Sequence, residues 1–153
     1  MSGRRPARAA HLDVGVRGER EASRFLRKVG CRTLARNLQT PGGEADLVCL
    51  ERRTGTVVLV EVKSRVSPRA GDGAGDGAGG ADPRGRAISP AEAINADKRR
   101  RLVRTAQSLK TLPRFRNRPI RIDVVTVEYA HAADRSPTIR HYVNAVTADG
   151  RLR

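Results

Sequence analysis

The segment at residues 56–63 constrains the fold of this 153-residue chain more than any other part of the sequence. It is apolar on both faces as far as Val60. A strand with apolar side chains on both faces is typical of the centre of a sheet that is covered on both sides. The segment therefore predicts a central strand. One of its faces, the one that carries Leu59, ends in two charged residues, Glu61 and Lys63.

Hydrophobic periodicity and turn signals predict two helices and four further strands around this central strand. The first helix is indicated over residues 14–29, before Gly30, and the second begins at Ser89-Pro90 and runs to about Leu109. The predicted strands are residues 32–38, 44–50, 56–63, 119–127 and 138–146. The order α-β-β-β-α-β-β predicts an α/β fold with a mixed sheet flanked by helices.

These elements fit a single domain, which we place at residues 13–146. Residues 1–12 are basic and aperiodic, and they are expected to form a flexible tail, while residues 147–153 are expected to form a C-terminal tail. Residues 67–88 have a Gly/Asp-rich centre that cannot bury apolar surface. They predict a mobile surface loop inside the domain.

Composition narrows the range of partners and compartments. The chain has 31 Lys and Arg against 16 Asp and Glu, a formal net charge of +15, which favours an anionic partner such as nucleic acid. Since 27 of the basic residues are Arg, the codon usage of a GC-rich genome is an alternative source of that charge. No apolar run approaches the roughly 18 residues of a membrane span, and no signal stretch opens the chain. We expect a cytoplasmic protein in which Cys31 and Cys49 are buried, unpaired thiols.

Carboxylates stand in two strands where core residues belong. The apolar faces of the second and third strands match when Leu50 pairs with Val57 across a hairpin. In that register Asp46 lies opposite Glu61, with Lys63 one step along the same face. Paired side chains have Cβ atoms about 4.5–5.5 Å apart, so two carboxylates repel unless a proton or a cation intervenes. Mg²⁺ or Mn²⁺, bound by oxygen ligands, would relieve that repulsion.

A third acid is predicted to join this pair. Glu19 lies on the apolar stripe of the first helix and should point toward the sheet. The alternative is an ordinary set of salt bridges that joins Glu44 to Lys63 and Glu61 to a neighbouring arginine. Convergence of three acids and a lysine from separate elements favours a metal site.

Four motifs carry a resemblance to known proteins. Gly42-Gly43-Glu44-Ala45-Asp46-Leu47-Val48, followed by Val60-Glu61-Val62-Lys63-Ser64-Arg65, resembles the metal-binding core of the PD-(D/E)XK nuclease superfamily. Gly18-Glu19-Arg20 and Lys98-Arg99-Arg100-Arg101-Leu102 complete the pattern. The chain is identified as a member of the YraN family of bacterial proteins, which is similar to archaeal Holliday-junction resolvases. The resemblance covers roughly residues 13–145.

The resemblance implies a restriction-endonuclease-like fold and assigns roles to the residues above. Asp46, Glu61 and the backbone carbonyl of Val62 would bind Mg²⁺ or Mn²⁺. Glu19 would support the site directly or through water, and Lys63 would orient or activate the attacking water and stabilise charge on the phosphate. Because resolvase-like proteins generally act as dimers, a homodimer is also implied.

The implied function is metal-dependent cleavage of DNA phosphodiester bonds, at branched or repair intermediates. One alternative is a noncatalytic nucleic-acid-binding protein that retains the fold, and another is RNA as the partner. The basic residues expected to contact the phosphate backbone are Arg65, Lys98, Arg101 and Arg104, with a solvated helix face as the alternative. Aromatic residues make up 3% of the chain and Trp is missing, which argues for contacts with phosphate and shape rather than base stacking.

The remaining titratable residues have weaker signals. Asp123 matches a position of the family pattern, and it is expected either to support the site or to form a structural salt bridge. His11, His131 and His141 are dispersed and lack the spacing of a catalytic pair. We expect each of them in a tail or at the surface.

Overall fold

The described part of the chain folds into a five-stranded mixed sheet with one helix on each face. The computed structural model describes residues 7–67 and 94–153, with backbone alone for residues 7–13. The helices are α1 (Ala7–Lys28) and α2 (Ala96–Thr111). The strands are β1 (Cys31–Thr40), β2 (Gly43–Glu51), β3 (Val57–Val66), β4 (Ile120–Tyr129) and β5 (Thr138–Val146). The predicted order α-β-β-β-α-β-β is confirmed.

Strand β3 is central, as its sequence predicts. The strands lie in the order β1-β2-β3-β4-β5, and all neighbouring pairs are antiparallel except β3 and β4, which are parallel. Parallel neighbours need a long crossover connection, and the chain between β3 and β4 contains α2. Neither α1 nor α2 is long and apolar enough to cross a membrane.

Each face of the sheet has its own core. Val58 and Val60 of β3 pack with Leu26 of α1, whereas Leu59 packs on the opposite face with Leu102 of α2. All of these side chains are buried. Alternation along the strand divides the apolar run between the two cores, and each buried side chain of this size contributes roughly 1.5–3 kcal/mol.

The predicted helix boundaries need two corrections. α1 begins at Ala7, so the predicted tail over residues 1–12 is wrong from that residue onward; Ala, Arg and Leu have high intrinsic helix propensity even without an apolar stripe. α2 begins at Ala96 rather than near Ser89. Asn95 precedes it in an extended conformation and accepts a hydrogen bond through Oδ1 from the Lys98 amide at 2.9 Å, which is typical of an N-cap. Ser89-Pro90 and nearly all of the predicted loop lie outside the described residues.

The predicted C-terminal tail is also wrong. The Thr147 amide donates to the Arg151 carbonyl, which closes a turn. Beyond the turn, Leu152 forms a bridge with Val146 and packs against the core on the α2 face. Residues 147–153 therefore extend the domain, because one apolar side chain covers the end of β5.

Candidate functional site

The hairpin of β2 and β3 has the predicted register in its first half and opens in its second. Leu50 pairs with Val57, and pairing ends where Leu47 meets Val60. The predicted direct pairing of Asp46 with Glu61 is therefore wrong as a ladder pair, and the strands separate at this point. The same holds for Glu44 and Lys63, which no ion pair joins in the part of the chain that the structure describes.

An irregularity in β2 explains why the strands separate. Ala45 and Val48 both pack into the core on the α2 face, whereas Leu47 packs on the α1 face. Regular alternation would put Ala45 and Leu47 on the same face, so the backbone changes its orientation between them. Asp46 lies at that change and is turned toward β3.

Asp46 and Glu61 are brought together at the opening. The Val62 amide donates a 2.8 Å hydrogen bond to Asp46 Oδ2, so this carboxylate replaces a backbone acceptor of the missing ladder. Glu61 is 9% exposed and lies on the same face of β3 as Leu59. Burial, together with the charge of Asp46 and a hydrogen bond to it, raises the pKa of Glu61 to about 7. The structure thus places the two predicted ligands side by side.

Lys98 contacts this acid pair. The sequence predicts it only as a phosphate-contacting residue. Its Nζ lies 2.9 Å from Glu61 Oε2. Lys98 occupies the first turn of α2, where the helix dipole disfavours a positive charge. The ion pair with Glu61 offsets that cost, and the helix N-terminus and the ammonium both present positive charge to the acids.

Glu19 approaches the pair from the other face of the sheet. Burial, and then the nearby charges of Asp46 and Glu44, raise the pKa of Glu19, against a 3.2 Å hydrogen bond that Asn37 Nδ2 donates to it. Asn37 has a left-handed backbone at φ 47°, which Asn tolerates better than most residues. Its role in holding Glu19 has no periodic signal in the sequence.

A glycine sets the position of Glu19. A Cβ on Gly18 would lie 1.6 Å from Ser64 Oγ, so α1 lies directly on β3 at this point. A larger residue at position 18 has to displace Ser64 or the helix, and displacement of the helix would withdraw Glu19 from Asp46. The Gly18-Glu19 pair of the predicted motif thus has a steric reason: one residue allows the close approach that the next one uses.

Asp46 and Glu61 are two adjacent candidate ligands with Glu19 as a neighbour, and they do not form a complete metal-binding site. Among residues whose side chains are described, no group of three or more Asp, Glu, His or Cys residues is arranged to hold a metal ion. Val62 contributes its amide to Asp46, and its side chain packs against the core on the α1 face. Lys63 is exposed, two residues beyond Glu61 on the same face of β3.

The other predicted phosphate-contacting residues differ in their surroundings. Arg65 lies on β3 itself, beyond Lys63, but donates to Glu128 at 3.1 Å, which reduces its freedom to bind a phosphate. Arg101 and Arg104 are exposed on α2 and form no ion pair with any residue that the structure describes. The Arg104 carbonyl also packs against Gly42, where a Cβ would lie 2.3 Å away, so the turn after β1 holds α2 in place.

Asp123 lies in a separate network on the α1 face. It is fully buried and accepts hydrogen bonds from Arg121 Nε at 3.0 Å and from the Asn144 amide at 2.8 Å, with His141 Nε2 at 2.8 Å. Arg121 also forms a 3.0 Å ion pair with Glu51. Of the two roles expected for Asp123, the structure favours the structural salt bridge.

The histidines and cysteines are the remaining residues for which the sequence predicts a position. The prediction of a surface position is wrong for His141, whose side chain is 11% exposed, while His131 is exposed as expected and the side chain of His11 lies outside the described residues. Cys31 and Cys49 are buried and free, as predicted. Burial raises the pKa of Cys49 to about 11.

Comparison with known sequences identifies relatives over most of the chain. The family described as "Uncharacterised protein family UPF0102" matches residues 18–127, which include Glu19, Asp46, Glu61 and Lys98. A UPF0102 protein of Syntrophomonas wolfei is 36% identical over 134 residues, 87% of this chain and 96% of the relative. One of Anaeromyxobacter dehalogenans is 36% identical over 139 residues, 90% of this chain and 87% of the relative. One of Mycolicibacterium gilvum is 35% identical over 128 residues, 84% and 89% of the two chains. The chain belongs to UPF0102, the family that its motifs identify under the name YraN.

Proposed function

We propose that this protein is a metal-dependent endonuclease that acts on DNA phosphodiester bonds, at branched or repair intermediates. The observation that carries the proposal is the juxtaposition of Asp46 with the buried Glu61 where β2 and β3 separate. Holding two carboxylates together in a buried place costs stability, and a divalent cation is the partner that would repay that cost.

The donor set fits Mg²⁺ or Mn²⁺. Carboxylate and carbonyl oxygens are the ligands that Mg²⁺ prefers, and it commonly keeps several waters while one or two carboxylates and the substrate phosphate complete its shell. Asp46, Glu61 and the Val62 carbonyl would hold the ion, and Glu19 would act directly or through a water. When bound, the ion would supply hydroxide, polarise the phosphoryl oxygen and stabilise the leaving 3′-oxygen.

Lys63 is the residue that we propose to contact the substrate phosphate. It is exposed and follows Glu61 on the same face, so its ammonium can reach a phosphate that lies over the acids. In that position it would orient the attacking water and offset the charge that develops on the phosphate. Lys63 is therefore proposed as a catalytic residue.

Nucleic acid is the proposed partner because of the charge distribution. The net charge is +15, and the exposed Arg101 and Arg104 lie on the helix whose first turn carries Lys98. Contacts to phosphate oxygens would position the backbone without reading its sequence. A homodimer, which the resemblance implies, would present two such sites to a two-fold substrate.

A noncatalytic nucleic-acid-binding role is the second candidate. The observation that favours it is the ion pair of Lys98 with Glu61, which gives one of the acids a partner within the chain. Such a protein would bind nucleic acid through its cationic surface and would leave the phosphodiester bonds intact.

Cleavage assays distinguish the two candidates. Purified protein with Mg²⁺ or Mn²⁺ is incubated with supercoiled, single-stranded, flap and four-way-junction DNA, and with RNA of matching sequence. We expect cleavage of at least one DNA substrate, with loss of cleavage in Asp46→Ala and Lys63→Ala. Binding without cleavage supports the second candidate, and variants that cut as well as the wild type contradict the catalytic assignment.

A further inference from the structure

We propose that Lys98 is an internal counter-cation of Glu61 that a divalent metal ion must displace, and that its release provides a contact for the substrate phosphate. The inference rests on the proposed function and adds a form of regulation to the same site.

The first observation behind this proposal is the close contact between Lys98 and Glu61. Lys98 Nζ lies 2.9 Å from Glu61 Oε2, on a carboxylate that also contacts Asp46. Lys98 thus provides positive charge at the acid pair, where a divalent ion would provide it in the metal-bound protein. A lysine is suited to a reversible contact of this kind, because its charge is a compact ammonium on a flexible four-carbon stem.

The second reason is the electrostatic repulsion between the Lys98 ammonium and a bound divalent cation. An ammonium and a divalent cation on the same carboxylate pair repel one another strongly at partial burial. The Lys98 side chain is 30% exposed, against 11% for Glu61, so the lysine can move toward solvent while the acid stays in place. Metal binding and the Lys98–Glu61 contact are therefore mutually exclusive.

The third reason is the position of Lys98 on α2, which lets its side chain move to the cationic surface of that helix. Its backbone is held by the Asn95 cap, so only the side chain needs to move. Once released, the ammonium joins the exposed cations Arg101 and Arg104 on the same helix. Metal ion and nucleic acid would then strengthen each other's binding, and this coupling is reciprocal by thermodynamic necessity.

Metal affinity without nucleic acid tests the exchange. Calorimetric titration with Mn²⁺ compares the wild type with Lys98→Met, Lys98→Arg and the matched control Lys110→Met, which removes an exposed lysine from the far end of the same helix. We expect Lys98→Met to bind Mn²⁺ roughly two- to fivefold more tightly, the order of effect of losing a partly exposed ion pair, with no change in the other two variants. Equal or weaker binding by Lys98→Met overturns the inference.

The same titration separates this inference from the proposed function. Asp46→Asn should lose Mn²⁺ binding. If the wild type and Lys98→Met both fail to bind Mn²⁺, the proposed metal site fails and the inference fails with it. If both bind equally and Asp46→Asn does not, the metal site stands and only the displacement of Lys98 is wrong.

A second measurement follows the wild-type protein itself and uses a variant only to assign the signal. The ¹⁵N signal of the Lys98 ammonium is assigned by its loss in Lys98→Arg and followed while Mg²⁺ is added. We expect this signal to shift toward that of a solvated lysine as the site fills, while the Lys110 signal stays in place. A Lys98 signal that does not change at saturating Mg²⁺ overturns the inference.

Discussion

The two faces of the sheet each bury an acidic residue, but they satisfy it in different ways. On the α1 face Asp123 is fully buried, with four contacts from Arg121, His141 and the Asn144 amide. On the α2 face Glu61 lies next to a second carboxylate and, among the residues that the structure describes, has one cationic partner, Lys98. The first arrangement is complete within the chain. The second contains an excess of negative charge, which is the condition under which an external cation binds.

The difference between Asp123 and Glu61 shows that burial alone does not explain a charged residue in a core. Buried polar groups normally have their hydrogen bonds made within the protein, and Asp123 follows that rule. Glu61 instead has its pKa raised to about 7, because it is buried next to Asp46. Perturbed acids of this kind cluster at functional sites, although structural networks can also produce them.

Loss of the Asp123 carboxylate should have the largest effect on stability. Asp123→Ala leaves the guanidinium of Arg121 and the Asn144 amide without their buried acceptor, and breaking a buried pair in this way costs about 3–5 kcal/mol. Urea unfolding with metal removed measures the change. The matched variant on the other face, Glu61→Gln, should not be destabilised at neutral pH. Equal losses in the two variants would remove the distinction between the faces.

The pH dependence of stability should differ between wild type and Glu61→Gln. The folded-state pKa of Glu61 is raised from 4.5 to about 7, so the folded protein holds this proton more tightly than the unfolded chain does. Wild-type stability relative to Glu61→Gln is therefore highest below pH 4.5 and falls as the pH rises through about 7. The total change is at most about 3.5 kcal/mol, at about 1.4 kcal/mol for each pKa unit.

Urea unfolding of both proteins in EDTA, from about pH 4 to about pH 8, measures this difference. Because every other titratable group is common to both, the difference isolates position 61. A difference that stays constant over the whole pH range would show that Glu61 is not perturbed and would weaken the contrast with Asp123.

Two glycines at which the helices approach the sheet closely should both resist substitution by alanine, but only one of the two substitutions should be open to rescue by a second change. In Gly42→Ala the new Cβ meets the backbone carbonyl of Arg104, 2.3 Å away, whereas in Gly18→Ala it meets the Ser64 side chain. Both changes overpack the structure and should cost about 1–3 kcal/mol, measured by thermal unfolding. Combining Gly18→Ala with Ser64→Gly should recover stability, since the obstructing atoms are removed. Failure of that rescue would mean that the backbone, not Ser64, limits the approach of α1.

Thiol labelling should show the smallest effect. Burial raises the pKa of Cys49 to about 11, and burial also raises the pKa of Cys31, so few thiolates are present at neutral pH. We expect Ellman's reagent to label neither thiol of the folded protein quickly, and both after denaturation. Rapid labelling under native conditions would indicate that the α1 face opens more readily than its packing suggests.

Much of the fold follows from local patterns in the sequence. The apolar run of β3 predicts a central strand because burial on both faces leaves no polar alternation, and the hairpin register follows from matching apolar faces. The start of α1 at Ala7 was outside these patterns, since intrinsic propensity extends the helix without burying a stripe. The surface position predicted for His141 is wrong because alternation in β5 does not reveal that Asp123 lies on the neighbouring strand.

The sequence by itself identified Glu19, Asp46 and Glu61 as acids that interrupt apolar patterns, because the period of each pattern predicts the direction of the side chain. Only the tertiary structure decided how they meet. The ladder ends before Asp46, Gly18 lets Glu19 approach, and Lys98 arrives from α2 to pair with Glu61. Periodicity reports which way a side chain points relative to its own element, whereas a partner from a distant element depends on how helices and strands pack together.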